Sequence, residues 1–202
     1  MADSTLVVAG KPKVGGGVWT APLGTTLPKD ATTALDVAFK SLGYVSDDGL
    51  TNEITTDTEE IKAWGGDTVL TAQTGTSDTF TYKLIESLNI EVLKEVYGAS
   101  NVTGTLATGI KISVNSKEKI DHVIVIETVV RDKFKRIVLP VAKIKEMAEI
   151  TYVDGEPVGY EVTVQALPDS SGNTHYEYIG GTAGWLQEKQ KLDFLTKFQR
   201  RV

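Results

Sequence analysis

The chain has 202 residues, 41% of them hydrophobic, and a formal net charge of −6. That is enough for one domain with a substantial core and too apolar for a wholly disordered chain. There is no cysteine, which excludes disulfides, thiol chemistry and thiolate metal sites, and the acidic balance argues against a surface made to grip nucleic acid. The opening MADSTLVVAG has no basic flank, and its apolar run is only Leu6 to Ala9. No run anywhere approaches the ~18 apolar residues of a membrane helix, so neither a signal peptide nor membrane insertion is expected.

In chain order, residues 1–17 are small or polar and end in Gly15, Gly16 and Gly17, a pattern of flexibility. VWTAPLGTTLP (18–28) then spaces apolar anchors, Trp19, Leu23 and Leu27, with Pro22, Gly24 and Pro28. Residues 1–30 read as a tethered arm whose anchors are buried against the body of this chain or a neighbouring one. Leu35, Ala38, Phe39 and Leu42 fall at helical spacing, with Thr33 and Gly43 as capping residues, and predict a short helix. From Leu50 to Trp64 the chain is rich in Thr and carboxylates. With Gly65-Gly66 as the turn and Val69 to Thr74 as the return, residues 47–76 predict a projecting hairpin. Its edges are left bare in a monomer and are coverable in an oligomer.

The body is predicted as about seven strands and one helix. Phe80, Tyr82 and Leu84 alternate with Thr79, Thr81 and Lys83. Asn89 caps a helix ending before Gly98, with Val92, Leu93, Val96 and Tyr97 inward. Ile110, Ile112 and Val114 mark another half-buried strand. Val123 to Ile126 form a β-branched run expected to be covered on both faces. Ile137, Leu139 and Val141 follow, with Pro140 pointing to an edge or a bulge. Ala148, Ile150 and Tyr152 lead into a turn at Asp154-Gly155, and Val158, Tyr160, Val162 and Val164 alternate clearly after it. The fold expected is therefore mainly β, a sandwich or barrel with one packed helix and extended arm and hairpin loops. A domain over 1–179 is followed by a Gly180-Gly181 linker and an extension, 180–202, read as an amphipathic helix or a disordered end.

No catalytic or metal site stands out. His122 and His175 are isolated and read as ordinary strand or loop residues. No serine sits in a nucleophile elbow, Gly10-Lys11-Pro12 lacks phosphate-loop spacing, and Gly15 to Gly17 do not match the dinucleotide fingerprint. No cofactor and no enzymatic activity are expected. Charge, however, is segregated. Asp47, Asp48, Glu53, Asp57, Glu59 and Glu60 stand in 47–60 without a cation, whereas Arg131, Lys133, Lys135, Arg136, Lys143 and Lys145 stand in 131–145 against Asp132 alone. The last eighteen residues carry +3 and residues 1–184 carry −9. A charge run is ordinarily a solvated face. Two opposite runs also fit segments that meet between copies of one chain, where charge sets register.

VWTAPLGTTLP, LGYVSDDGLT (42–51), AWGGD (63–67) and YEVTVQALPDSSGNTHYEYI (160–179), in this order, resemble the major tail tube protein of long-tailed, non-contractile bacteriophages. The resemblance covers roughly residues 14–179. It implies a virion protein assembled in the host cytoplasm, forming hexameric rings with a continuous inner β-barrel that stack into the conduit for DNA ejection. The implied partners are further copies of itself, a tape measure protein and tail completion or tip proteins, with DNA passing through and not specifically bound. Inter-subunit contacts are then expected at Trp19, Leu23, Asp57, Glu59, Glu60, Trp64, Lys133, Lys135 and Arg136. Trp64 before two glycines is equally an anchor over a turn within the chain. A bore that lets DNA pass must be polar and net negative, which makes Thr79, Thr81, Glu161, Thr163 and Gln165 lining candidates by alternation. The acidic stretch 47–60 is the rival for that role. The alternatives are a tube subunit of a contractile injection system and a monomeric β-sandwich binding or decoration module.

Overall fold

The β-branched run from Val123 to Ile126 lies in β8 (His122–Val130), and every residue from His122 to Glu127 is buried. In the computed structural model, which describes residues 2–13 and 16–181, β8 lies within a nine-stranded sheet. Its other strands are β1 (Gly10–Pro12), β2 (Val18–Pro22), β3 (Lys40–Ser41), β4 (Val45–Lys62), β5 (Thr68–Leu84), β9 (Lys133–Met147), β10 (Tyr160–Leu167) and β11 (Tyr176–Gly180). The order is β3-β2-β8-β9-β10-β5-β4, with β1 paired to β8 and β11 to β9. The path runs from β3 to β4 without closing, so the described residues form an open sheet and no barrel. A two-stranded sheet, β6 (Val102–Thr105) and β7 (Gly109–Ile112), stands apart.

Two apolar clusters lie on the two faces of β8 and β9. Ile124, Ile126, Ile137 and Leu139 point to one side and meet Phe80, Tyr82, Val162 and Val164 from β5 and β10. The helix α1 (Ile90–Tyr97) closes that side with Val92, Leu93 and Val96. Asn89 caps it, accepting from the Glu91 amide, and the Gly98 amide donates to the Lys94 carbonyl, so the predicted helix forms with both its ends. On the other side Val123, Val125 and Val138 are covered by Ala21, Phe39, Leu27 and Leu35, with Trp19 against them. Trp19 thus packs on its own chain. The segment read as an arm supplies a strand inside the sheet, with Val18 to Pro22 paired along β8.

Pro140 sits within β9 at a bulge. His122 faces Ala142 and Ile124 faces Leu139, so Pro140 and Val141 share one position opposite Val123. On its other side β10 pairs from Val141 onward and β11 from Val138 backward, which leaves Pro140 in the gap between them. The missing N–H therefore breaks no ladder bond.

The helix predicted from Leu35, Ala38, Phe39 and Leu42 does not form; residues 31–39 are turns and bends, and β3 begins at Lys40. In a helix the Thr33 carbonyl would accept from residue 37. Here it accepts from Arg136 Nη1 at 2.9 Å, and the Asp30 carbonyl accepts from the same nitrogen at 2.8 Å. The Asp30 carboxylate binds the amides of Thr32 and Thr33 at 2.7 and 2.6 Å. Hydrogen bonds from Thr33, then from Thr32, hold that carboxyl well below the usual range. Leu35 and Phe39 still pack on the sheet, so the apolar spacing reports burial without helix. The strand expected through Val114 ends at Ile112, and β9 stops at Met147, leaving Ala148 to Tyr152 irregular. The predicted amphipathic or disordered end, residues 182–202, falls outside the described residues.

Arg136 is buried and donates to Glu127 Oε1 from Nε at 3.1 Å and from Nη2 at 2.5 Å. Lys13 adds a contact to Glu127 at 3.0 Å. Glu127→Gln should destabilise the protein by about 3–5 kcal/mol, the typical cost of stranding a buried charge. The measurement is the urea midpoint at unchanged m-value. A loss below about 1 kcal/mol, the level of exposed pairs, would mean that the pair does not hold the 30–39 segment.

Candidate assembly surfaces

Three surfaces stand out, and the first is the hairpin. From Leu50↔Tyr82 to Lys62↔Thr68 the two long strands pair with each other, with irregularities at Asp57/Thr58 and Ile61/Lys62. The alternation of buried Phe80, Tyr82 and Leu84 with half-buried Thr79, Thr81 and Lys83 holds only for the inner end of β5. Beyond Ile54 and Asp78 almost every residue of both strands is exposed. At about 3.3 Å per residue, that outer part extends roughly 25 Å. At its tip Gly65 and Gly66 take φ of +122° and +99°, and Trp64 is fully exposed at 105%. Asp57, Glu59 and Glu60 are exposed along β4.

The root of the hairpin is fastened by a buried carboxylate that the sequence reading passed over. Asp78 is 2% exposed. It accepts from Asn52 Nδ2 at 2.7 Å and from Thr174 Oγ1 at 2.6 Å, and lies 2.6 Å from His175 Nδ1. His175 also meets the Phe80 ring edge-on, with centroids 5.3 Å apart. Its partners come from β4 and from the β10–β11 loop, so the loop grips the hairpin where it leaves the body. Asp78 directly precedes the Thr79–Leu84 alternation, and that was the only available signal.

The second surface is a polar face across four strands. Direct cross-strand partners share a face. Glu53, Thr79, Gln165 and Lys143 form one row, and Thr51, Thr81, Thr163 and Glu146 the next; Lys83 stands opposite Glu161. The Thr81 and Thr163 hydroxyls are 3.1 Å apart. The five residues singled out by alternation, Thr79, Thr81, Glu161, Thr163 and Gln165, are thus brought together on one face, with Tyr82, Val162 and Val164 on the other.

The third is a cavity of about 750 Å³ between α1, the end of β2 and residues 119–122. Leu23, exposed at 49%, stands on its rim. Its inner wall carries His122 Nε2, 2.7 Å from Glu95 Oε1 on α1. Burial alone would lower the His122 pKa. The Glu95 carboxylate, aided by the Ile120 carbonyl and Asp121, outweighs it and raises the value above 6.5. Burial lowers Lys119, which donates to the Val96 carbonyl, with Glu95 partly offsetting. Burial, then Glu95, raises Tyr82.

The basic segment is largely paired within its own chain. Lys133 lies 3.4 Å from Asp132, Lys135 2.8 Å from Glu177, and Lys143 contacts Glu118. Arg136, expected at a subunit contact, is turned inward to Glu127. Glu127 was missed, although a carboxylate inside the run VIVIETVV nine residues before an arginine was a usable signal.

Among the described residues, no group of three or more His, Cys, Asp or Glu is placed to hold a metal ion, and no helix is long and apolar enough to cross a membrane. The family described as phage tail tube protein matches residues 1–188. The chain belongs to this family. No curated protein matched the sequence. The tail tube chain is therefore a structural component of the virion tail, assembled in the host cytoplasm, in a family whose members self-assemble into a tube.

Because folded His122 holds its proton more tightly than the unfolded chain does, its bridge to Glu95 adds stability in full below about pH 6.5. That gain is lost as pH rises through the raised folded value. Glu95→Gln should accordingly flatten the fall in unfolding free energy as pH rises from about 6.5 through the raised folded value. Identical profiles for the two proteins would show that this imidazole does not titrate with folding.

Proposed function

We propose that this tail tube protein forms hexameric rings that stack into the conduit for DNA ejection, with a tape measure protein and tail completion or tip proteins as further partners. The observation that carries this reading is the hairpin. Among the described residues its outer strand, β4, pairs only with β5, and its outer half has no body beneath it. Such an edge is a liability in a monomer and an asset in a polymer that covers it. Six copies joined edge to edge would make the open sheet a closed inner barrel. The face bearing Thr79, Thr81, Glu161, Thr163 and Gln165 would turn to the bore and the apolar face to the body. Leu23, Trp64, Asp57, Glu59 and Glu60, with the exposed ends of Lys133 and Lys135, would meet neighbouring copies. Residues 1–179 would form the tube domain and 180–202 an appendage.

Negative-stain microscopy and sedimentation of the purified chain test this directly. Rings of six and hollow tubes are expected without nucleotide or cofactor. A chain that stays monomeric at high concentration, and when seeded with tail tips, would overturn it. Glu161→Lys should leave tubes of normal appearance and slow ejection, because a basic wall retains phosphates. Normal ejection would place Glu161 away from the bore.

A further inference from the structure

We infer that the cavity between α1 and β2 is the receptor for the hairpin tip of a second copy of this chain, with the Trp64 indole as the inserted group. The inference rests on the stacking proposed above and names its contact. Trp64 is the most exposed large apolar residue among those described. It sits on a Gly-Gly turn, and the directly opposed pair Ile61 and Leu70, also exposed, stands just behind it. Among the described residues a tip of this composition has no partner in its own chain, and its reach carries it beyond the body that bears it.

The cavity has the complementary character. Its 750 Å³ lies in the range of about 300–1,000 Å³ typical of ligand-binding clefts and leaves room for an indole together with its neighbours. Pro22, Leu23, Ala38 and Ile120 line it, with Leu23 and Ile120 exposed. Aromatic side chains in desolvated pockets are the usual anchors of such contacts. The charges agree as well. From 57 to 70 the hairpin carries Asp57, Glu59, Glu60 and Asp67 against Lys62 alone. Within the cavity wall Glu91 is paired with Lys94, and Glu95 with His122. Lys40 and Lys119 hydrogen-bond the backbone carbonyls of Val37 and Val96 and face the cavity as cations. Asp121, the third carboxylate of the wall, lies 4.0 Å from Lys143. An acidic tip thus meets a wall in which Glu91 and Glu95 are paired and Lys40 and Lys119 stand as cations. Tip and cavity are different patches, so the contact is heterologous and propagates from copy to copy.

The chain has no cysteine, which makes cross-linking clean. Ala63→Cys, beside the intact Trp64, is mixed with Leu23→Cys, at the cavity rim, and oxidised with glutathione disulfide during assembly. The mixed disulfide between the two variants is expected in at least tenfold excess over that formed with Thr103→Cys, an exposed control on β6. In a second experiment Trp64→Ala, a change at a fully exposed side chain, should raise the critical concentration for tubes at least tenfold while rings still form. Tubes that form normally with no excess cross-link, or with Trp64→Ala tubes at an unchanged critical concentration, would overturn the docking and leave the tube reading standing. Preferential cross-linking of Leu23→Cys to a cysteine placed in residues 182–202 would assign the cavity to the chain's own end and also overturn it. Absence of tubes from the unaltered chain would overturn both.

Discussion

The fold depends on the buried pair between Arg136 and Glu127. A sheet packed on both faces needs cover on both, and here helix α1 supplies only one. The other is covered by residues 23–39, a segment with little regular hydrogen bonding of its own. Arg136 converts that segment into a lid by binding two of its carbonyls while its charge is balanced by Glu127 across the strand pair. Arginine suits this task because its planar fork serves several acceptors at once. A lysine would offer a single nitrogen in place of a fork that places Nη1 on the two carbonyls and Nε and Nη2 on Glu127. The arrangement also explains why β8 tolerates a carboxylate in its buried run.

With both faces of β8 and β9 covered, the other half of the sheet is free to have two different faces. Along β10 and the inner end of β5, apolar residues turn to α1 and the shared core, and threonine, glutamine and charged residues turn away. The same two strands of the hairpin then run on past the core as a bare ribbon. Isolated two-stranded ribbons are marginal in water, so the root must be held. Asp78 does this from beneath, with hydrogen-bonding partners from two other segments of chain. Fastening at the root and exposure at the tip give a lever of fixed direction, which is what a contact between copies requires.

The sequence was most legible where pattern and environment coincide. β10 alternates because one face is core and the other is not, and α1 shows its caps because Asn89 and Gly98 act locally. Pro140 announced an edge or a bulge because its chemistry permits little else, and the register places it at a bulge. The failures share a cause. Leu35 to Leu42 carries helical spacing, but the backbone there answers to Arg136, more than a hundred residues away. Arg136 itself looked like one cation in a solvated run, since its own neighbours are basic and the signal for the pair lay in Glu127, nine residues earlier. Lys133 pairs with its sequence neighbour Asp132, but Lys135 and Lys143 have carboxylate partners set by strand register and loop placement, which composition does not encode. Trp19 and Trp64 look alike as sequence anchors, yet one closes its own sheet and the other stands alone on a turn.

The proposed bore face meets a physical requirement that net charge alone does not guarantee. A duplex carries one charge per about 1.7 Å of axis, and a wall binds it by releasing counterions from phosphates it neutralises. Retention therefore needs unengaged cations spaced along the wall. On this face Lys143 is engaged by Glu118, and Lys83 has a carboxylate, Glu161, as its directly opposed strand partner. At physiological salt, repulsion from such a wall reaches only about 8 Å, so it acts by denying contact and not by propulsion. Threonine and glutamine serve the same end, since their hydrogen bonds to phosphate exchange freely with water. Lining the proposed bore, such a face would let a polyanion slide, because threonine, glutamine and opposed charges present it with few unengaged cations.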